Sequence, residues 1–588
     1  MMKKTFTIST IFILLLAAGA LAEEGVRVAG SKLPYIIVGV AAIAIGVLIT
    51  VAMVASKEGR ALVITPTGLP IPMPLFPVLI GVAIGLTLIN TTPQDSYTLD
   101  GVRYKLDKES AYAIGFVKDA EVPEALVVPG EVEGLPVESV GGFEDSAELR
   151  EVILPLSVSS IGDKAFKDCA NLETVRIEGD AVPDDENRLW LTIGDEAFSG
   201  CASLTNVNLP GVYVGVGKQA FSGCTALETV TLSGDIREIG VEAFAGCEAL
   251  KALRLQGGDA DPHKDYQMYP SRADDNKLVV GERAFQDCGA LVTVEFPAGD
   301  TTKSIGERAF AGCAALDIEV PAAHLEKYCF EGCASLRFVA TNHGWAIDND
   351  RREVPEGAFK DCSGLLVVDL NGISTVGDGA FEGCTSLKQV TATWTEKVGK
   401  RAFAGCPALQ VVGFGEGTLK SLSVDAFEGC GDAVVCDDGD AKVRRLAEAA
   451  GVKGDGGLWF ECDYLPDGSL RLRNWHIADG DTTGTFIVPG KWVGLPVSAV
   501  SLHRNYSYTG NEFPLRHEEI VVEEGIKTLE EDCFLNWKGT LRRIYLPDRL
   551  QTIERNAIRS DSDDMTVYTT SAAAIQYANR RGLAVSDP

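Results

Sequence analysis

The chain has 588 residues, with 53 lysines and arginines against 83 aspartates and glutamates, a net charge of −30, and 46% hydrophobic residues. That length exceeds one ordinary core and calls for several domains or a stacked array. The charge repels nucleic acid and anionic lipid and favours cationic partners, while the apolar content excludes wholesale disorder.

Residues 1–22 read as an export signal or a first membrane segment. Lys3 and Lys4 precede the apolar run Ile11–Ala18, and Ala20-Leu21-Ala22 supplies small residues for cleavage. Two longer apolar stretches follow, predicted as transmembrane helices over 33–56 and 71–90; the first is long enough to cross a hydrocarbon core of about 30 Å. Lys57 and Arg60 then fall in a cytoplasmic turn, as the positive-inside tendency favours. Cleaved or kept, the leader leaves the large C-terminal part outside the membrane.

From residue 95 the chain is repetitive. An opening hairpin reads Val127-Val128-Pro129-Gly130, then Gly134-Leu135-Pro136-Val137. After it the motif Ala-Phe-x-Gly/Asp-Cys recurs, with Phe166 and Cys169, Phe198 and Cys201, Phe221 and Cys224, Phe244 and Cys247, Phe285 and Cys288, and Phe310 and Cys313. It continues as Phe330 and Cys333, Phe359 and Cys362, Phe381 and Cys384, Phe403 and Cys406, and Phe427 and Cys430. Uninterrupted copies lie 23, 23, 22, 22 and 24 residues apart. A period in the twenties means a solenoid, each unit burying its apolar face against its neighbours.

Each unit ends in Val-x-Leu, the alternation of a short strand, and the strands of stacked coils pair in parallel about 4.8 Å apart. Ala-Phe followed by Gly-Cys suits a helical or tight turn, with Gly or Asp supplying a positive φ. The expected coil is therefore one short parallel strand plus one turn. Three units are lengthened, at Gly179–Leu191, Gly257–Lys277 and Thr341–Glu353.

Residues 441–452 are a strong helix former ending in glycine, a closing cap for a long module over 95–453. The opening pattern then returns as Ile487-Val488-Pro489-Gly490 and Gly494-Leu495-Pro496-Val497, and Ser571–Val585 repeats the cap plan. A short second module is therefore expected over 458–588. The fold class is a repeat solenoid of two capped modules behind N-terminal transmembrane helices.

This pattern resembles the BspA-like leucine-rich repeat family of bacterial and protist surface proteins, over roughly residues 97–585. The resemblance implies a leucine-rich-repeat-like fold and a role in adhesion or recognition, with no catalytic residues to carry over.

Stacked equivalent cysteines run parallel at the coil spacing, whereas a disulfide needs converging Cβ atoms about 3.5–4.5 Å apart. The repeat cysteines are read as small buried fillers. Cys329, Cys436, Cys462 and Cys533 leave the common stack and escape that argument. Six histidines with no compact Cys/His spacing give no metal site, and neither a cofactor nor an enzyme is expected. Binding is placed on the second insertion, at Asp259, Asp261, Asp265, Tyr266, Tyr269 and Arg272, because insertions project from a solenoid edge and aromatics anchor interfaces. Its aspartates lack the glycine and terminal glutamate of a calcium loop. The expected function is a membrane-tethered extracellular protein binding a protein or glycan on another cell, in the matrix or in the same membrane. The alternative is an ectodomain that senses or scaffolds within a membrane complex.

Overall fold

The computed structural model describes residues 62–64, 70–72, 96–178, 191–209, 214–233, 236, 238–256, 278–296, 302–320, 323–340, 352–415, 417–436, 440–455, 457–476, 484–502, 517–534, 540–558 and 565–588. Among them, no helix is long and apolar enough to cross a membrane. The leader at 1–22 and the apolar segments at 33–56 and 73–90 lie outside the described residues. Leu62–Ile64 and Pro70–Pro72 pair as antiparallel strands. Ile71 and Pro72 are thus extended where the second span is expected to start, because prolines lack an N–H and disfavour helix in the residue before them.

The chain forms two compact units, residues 1–143 with 153–161, and residues 144–152 with 162–588. In the first, Ser96–Leu99, Val102–Leu106 and Ala111–Phe116 form an antiparallel meander that turns at Asp100-Gly101. Both turn residues have positive φ, the geometry that matches strand twist in a two-residue hairpin. Ala111–Phe116 then pairs in parallel with Leu135–Val140, which pairs with Ser160–Ile161.

In the second unit each coil contributes two short strands rather than the one expected. The Val-x-Leu strands Asn206–Leu209, Thr229–Ser233 and Ala252–Gln256 form one parallel row in register. The residues before each Ile-Gly form another, as in Leu191–Ile193, Val214–Val216 and Glu238–Ile239. Only two or three residues long, these second strands are too brief to show a period in sequence. The glycine after each permits the close approach of coils: a Cβ on Gly240 would lie 2.5 Å from the carbonyl carbon of Gly217.

The Ala-Phe turn is not helical. Its glycine or aspartate before Cys has positive φ as expected, at 76° in Gly200 and 58° in Asp168. So does the residue before Ala, which is usually charged: 55° in Glu196 and Glu242, 53° in Arg283. Two left-handed residues per turn exclude a helix and cost about 1–2 kcal/mol each outside glycine. Hydrogen bonds offset that cost. Phe198, Phe221, Phe244 and Phe285 each donate a backbone N–H to the Ala carbonyl of the next coil at 2.7 Å, so the turns form a ladder of their own.

Behind the ladder the phenylalanines from Phe166 to Phe427 stack ring on ring, with centroids 5.0–5.4 Å apart and planes within 1–9°. All fifteen cysteines are buried free thiols, Cys329, Cys436, Cys462 and Cys533 included. Repeat cysteines do more than fill space. Cys201, Cys224 and Cys247 donate S–H to the carbonyl of Phe166, Phe198 and Phe221 in the preceding coil, at 3.1–3.2 Å. Burial pushes the thiols up, Cys169 to about 11 and Cys224 to about 12. Titration of the native protein with a thiol-specific disulfide reagent at pH 8 is therefore expected to find no reactive cysteine, and denaturation to release all fifteen. Rapid reaction of the folded protein would contradict a thiol core.

Helix Ala441–Ala449 begins at Asp440, whose carboxylate accepts from Lys442 N at 2.7 Å, and buries Val443 and Ala447. After it Lys453–Asp455 pairs with Val434–Cys436. Trp459–Tyr464 and Leu470–His476 then form an antiparallel hairpin, followed by further parallel coils. Helix Ala572–Arg581 ends at Gly582 in the left-handed region, with Arg580 and Arg581 at the negative end of its dipole.

Candidate functional site

Alternation along the Val-x-Leu strands points one set of side chains outward, and parallel register stacks them into rows. One row runs Thr174, Asn206, Thr229, Ala252 and Thr293; the next carries Arg176, Thr231, Arg254 and Glu295. Asn206, Thr229, Arg254, Thr293 and Glu295 are exposed. Their charges are lightly tied: Arg254 Nε sits 3.5 Å from Glu295, and Arg176 Nε 3.0 Å from Glu151. Exposed pairs of this kind contribute at most about 1 kcal/mol and can be exchanged for contacts to a partner.

Farther along, the same outward positions are covered. Val367, Asp369, Gln389 and Thr391 have no exposed surface. Their cover is the hairpin Trp459–His476 and the turn at Trp492. Gln389 Nε2 donates to Phe460 O and Trp492 Nε1 donates to Gln389 Oε1, each at 2.5 Å. The Trp459 ring lies where a Cβ on Gly413 would stand, at 2.3 Å. Val367 belongs to the same hydrophobic cluster as Phe460 and Trp475, with Phe338, Leu366 and Val411 packed against it. Arg473 pairs with buried Asp369, and its Nε is 2.9 Å from Asp463. Burial raises the Asp369 carboxyl to about 6. Glu461 accepts from Asn474 at 2.7 Å and lies 3.0 Å from His476, whose ring stacks on Trp459 at 4.0 Å.

One face therefore has an open polar half and a half filled by protein. The added sequence leaves from the ends of these strands, twice in the open half and once at Phe338–Ala340 beside the covered half. Residues 179–190, 257–277 and 341–351 each follow directly on an outward-row strand, at Thr174–Glu178, Ala252–Gln256 and Phe338–Ala340. Asp259, Asp261, Asp265, Tyr266, Tyr269 and Arg272 lie outside the described residues. The repeat phenylalanines and cysteines named from sequence all line the core.

Sequence reasoning missed Asp369, Gln389, Arg473 and Trp492. Its available signal was the change from threonine and asparagine to Phe338, Val367 and Val411 at outward positions. On the row of short strands, Lys327, Glu356, Thr375, Asp378, Lys397 and Ser421 line an open groove. Lys327 Nζ and Tyr328 Oη both bond Glu356 there, at 2.8 and 2.7 Å. Among the described residues no group of three or more His, Cys, Asp or Glu is placed to hold a metal ion.

The chain is similar to several proteins of known structure. A leucine-rich repeat protein from Bacteroides ovatus is 24% identical, over 61% of this chain and 99% of its own, with a TM-score of 0.36. A leucine rich cell surface protein from Faecalibacterium prausnitzii is 21% identical, over 60% and 97%, with a TM-score of 0.33. The pneumococcal vaccine antigen PcpA is 15% identical, over 61% and 96%, with a TM-score of 0.33. No curated protein matches the chain. The profile described as the BspA type leucine rich repeat region matches 6 copies, over residues 187–259, 273–348, 326–434 and 505–572. These spans take in more than half of the sequence, so the chain belongs to the BspA type leucine-rich repeat family.

Proposed function

We propose that this protein is a membrane-tethered, extracytoplasmic recognition protein that binds another protein through the open half of its outward strand face. The reading is carried by the covered half of that face, where side chains at the same strand positions already hold protein by hydrogen bonds, an ion pair and a tryptophan contact. A shallow sheet of this kind suits a broad partner better than a small substrate. The leader and apolar segments in the sequence support export and tethering, with residues 95–453 and 458–588 as two arrays outside the membrane. Insertion 257–277, which follows the outward strand Ala252–Gln256, supplies further contacts to the partner through Asp259, Asp261, Asp265, Tyr266, Tyr269 and Arg272.

Affinity purification of the full chain from cells of its source, followed by mass spectrometry, identifies the partner. Arg254→Glu is then expected to weaken that partner about tenfold, since charge reversal at a contact costs more than about 1 kcal/mol. Deletion of 257–277 is expected to remove binding while the thermal unfolding midpoint stays unchanged. Unaltered binding in both variants would place recognition elsewhere.

A further inference from the structure

Outward strand positions in the second unit sort by what covers them. Threonine, asparagine and arginine predominate where the face is open, whereas apolar Phe338, Val367 and Val411 stand where Trp459–Trp492 packs on it, and the polar Asp369 and Gln389 among them are bonded to that cover. The last row departs from this. Register across Thr485–Val488, Glu519–Val522, Arg543–Tyr545 and Thr566–Tyr568 aligns Ile487, Val521, Tyr545 and Tyr568 outward in one row. Thr485, Glu519, Arg543 and Thr566 form the row beside it, while Phe486, Ile520, Ile544 and Val567 are buried behind both. Ile487 is 47% exposed, and Val521, Tyr545 and Tyr568 are half-buried. The two tyrosine rings stack at 4.6 Å. Among the described residues, no hairpin or strand packs over this apolar row as Trp459–His476 does over Phe338, Val367 and Val411.

We infer that this face packs against the same face of a second copy of the chain. The polar row selects that occupant, because it carries opposite charges on adjacent coils: Arg543 Nε lies 2.8 Å from Glu519. A two-fold axis parallel to the strands, passing between these two coils, reverses coil order and keeps row on row. It sets Glu519 opposite the partner's Arg543, Val521 against the partner's Tyr545, and Ile487 against the partner's Tyr568. Packing with coil order unreversed would place Glu519 on its own equivalent. Four coils at about 4.8 Å span about 15 Å, a patch well below the about 800 Å² per partner of a stable complex. The contact is therefore weak in dilute solution and is strengthened when chains share one membrane. A net charge of −30 on each copy opposes it, so physiological salt, with a Debye length of about 8 Å, favours it over low salt.

Since the native thiols are buried, an introduced surface cysteine is the one that reacts. Full-length chains carrying Ile487→Cys and Tyr568→Cys, with different tags, are co-expressed and treated with a short bismaleimide. The mixed pair is expected to cross-link several-fold more than Ile487→Cys alone, whose two sites lie three coils apart across the axis. Glu519→Arg in both chains abolishes the product. Glu519→Arg on the first chain with Arg543→Glu on the second restores it, which also shows that both variants fold. Cross-linking no greater in the mixture than in the single-variant controls overturns the inference. So does capture of a different protein in place of the second copy.

Discussion

Phe244→Ala is expected to destabilise the repeat array by about 3–5 kcal/mol, the range for deleting a fully buried aromatic ring. Phe244 has no exposed surface, and it stacks on Phe221 at 5.1 Å and on Phe285 at 5.2 Å. Each such pair adds about 0.5–1.5 kcal/mol beyond area burial, so removing one ring breaks two stacks and leaves a cavity. Cys247→Ala, three residues on in the same turn, removes the sulfur atom and the S–H bond to Phe221 O, and should cost only about 1–2 kcal/mol. Guanidinium unfolding of the two variants measures the difference. Because each coil contacts only its neighbours, hydrogen exchange should localise the loss to the coils of Phe221, Phe244 and Phe285. A cost below about 1 kcal/mol for Phe244→Ala would mean that the turn ladder, not the ring stack, holds the coils together.

Arg473→Ala should be comparably severe, at about 3–5 kcal/mol, because it strands the buried Asp369 carboxylate without its cation. Asp369 would keep the bond from Asn371 N, 3.1 Å away, which carries no full positive charge to balance the carboxylate. The pH dependence identifies the cause. Burial raises Asp369 to about 6 from an ordinary 3.8, so the folded state binds more protons than the unfolded state between those values. This group's contribution is fully present below about pH 4 and is lost as pH rises through 6. Arg473→Ala, lacking the opposing positive charge, should be rescued by acidification from pH 7 to pH 5 more than the parent protein is. Asp369→Leu combined with Arg473→Met should recover most of the stability at pH 7, as apolar replacement of a buried pair often does. Equal sensitivity of the parent and Arg473→Ala to pH would remove Asp369 as the source.

The repeat was legible in the sequence because its chemistry is local. A glycine or aspartate before cysteine reports a left-handed residue in its own turn, and Val-x-Leu reports a strand within three residues. The left-handed residues before Ala were illegible, since Glu196, Glu242 and Arg283 carry side chains that ordinarily avoid that region. Only the hydrogen bonds of the neighbouring coil hold them there. The second strand of each coil was missed because stretches such as Val214–Val216 and Glu238–Ile239 are too short to show an alternation, and only their pairing with the neighbouring coil marks them as strands.

By itself the sequence determined the solenoid, its unit, its family and the places where the unit is lengthened, because repetition converts each local preference into a stacked array. Only the tertiary structure decided which part of the array stays open. Val367, Gln389 and Val411 occupy strand positions equivalent to Thr174, Thr229 and Thr293, and nothing local to them states what will lie above. Their cover comes from Phe460, Arg473 and Trp492, about seventy or more residues along the chain. Burying Asp369 and Gln389 costs free energy that only those distant hydrogen-bond partners offset, and a one-dimensional pattern does not record that pairing.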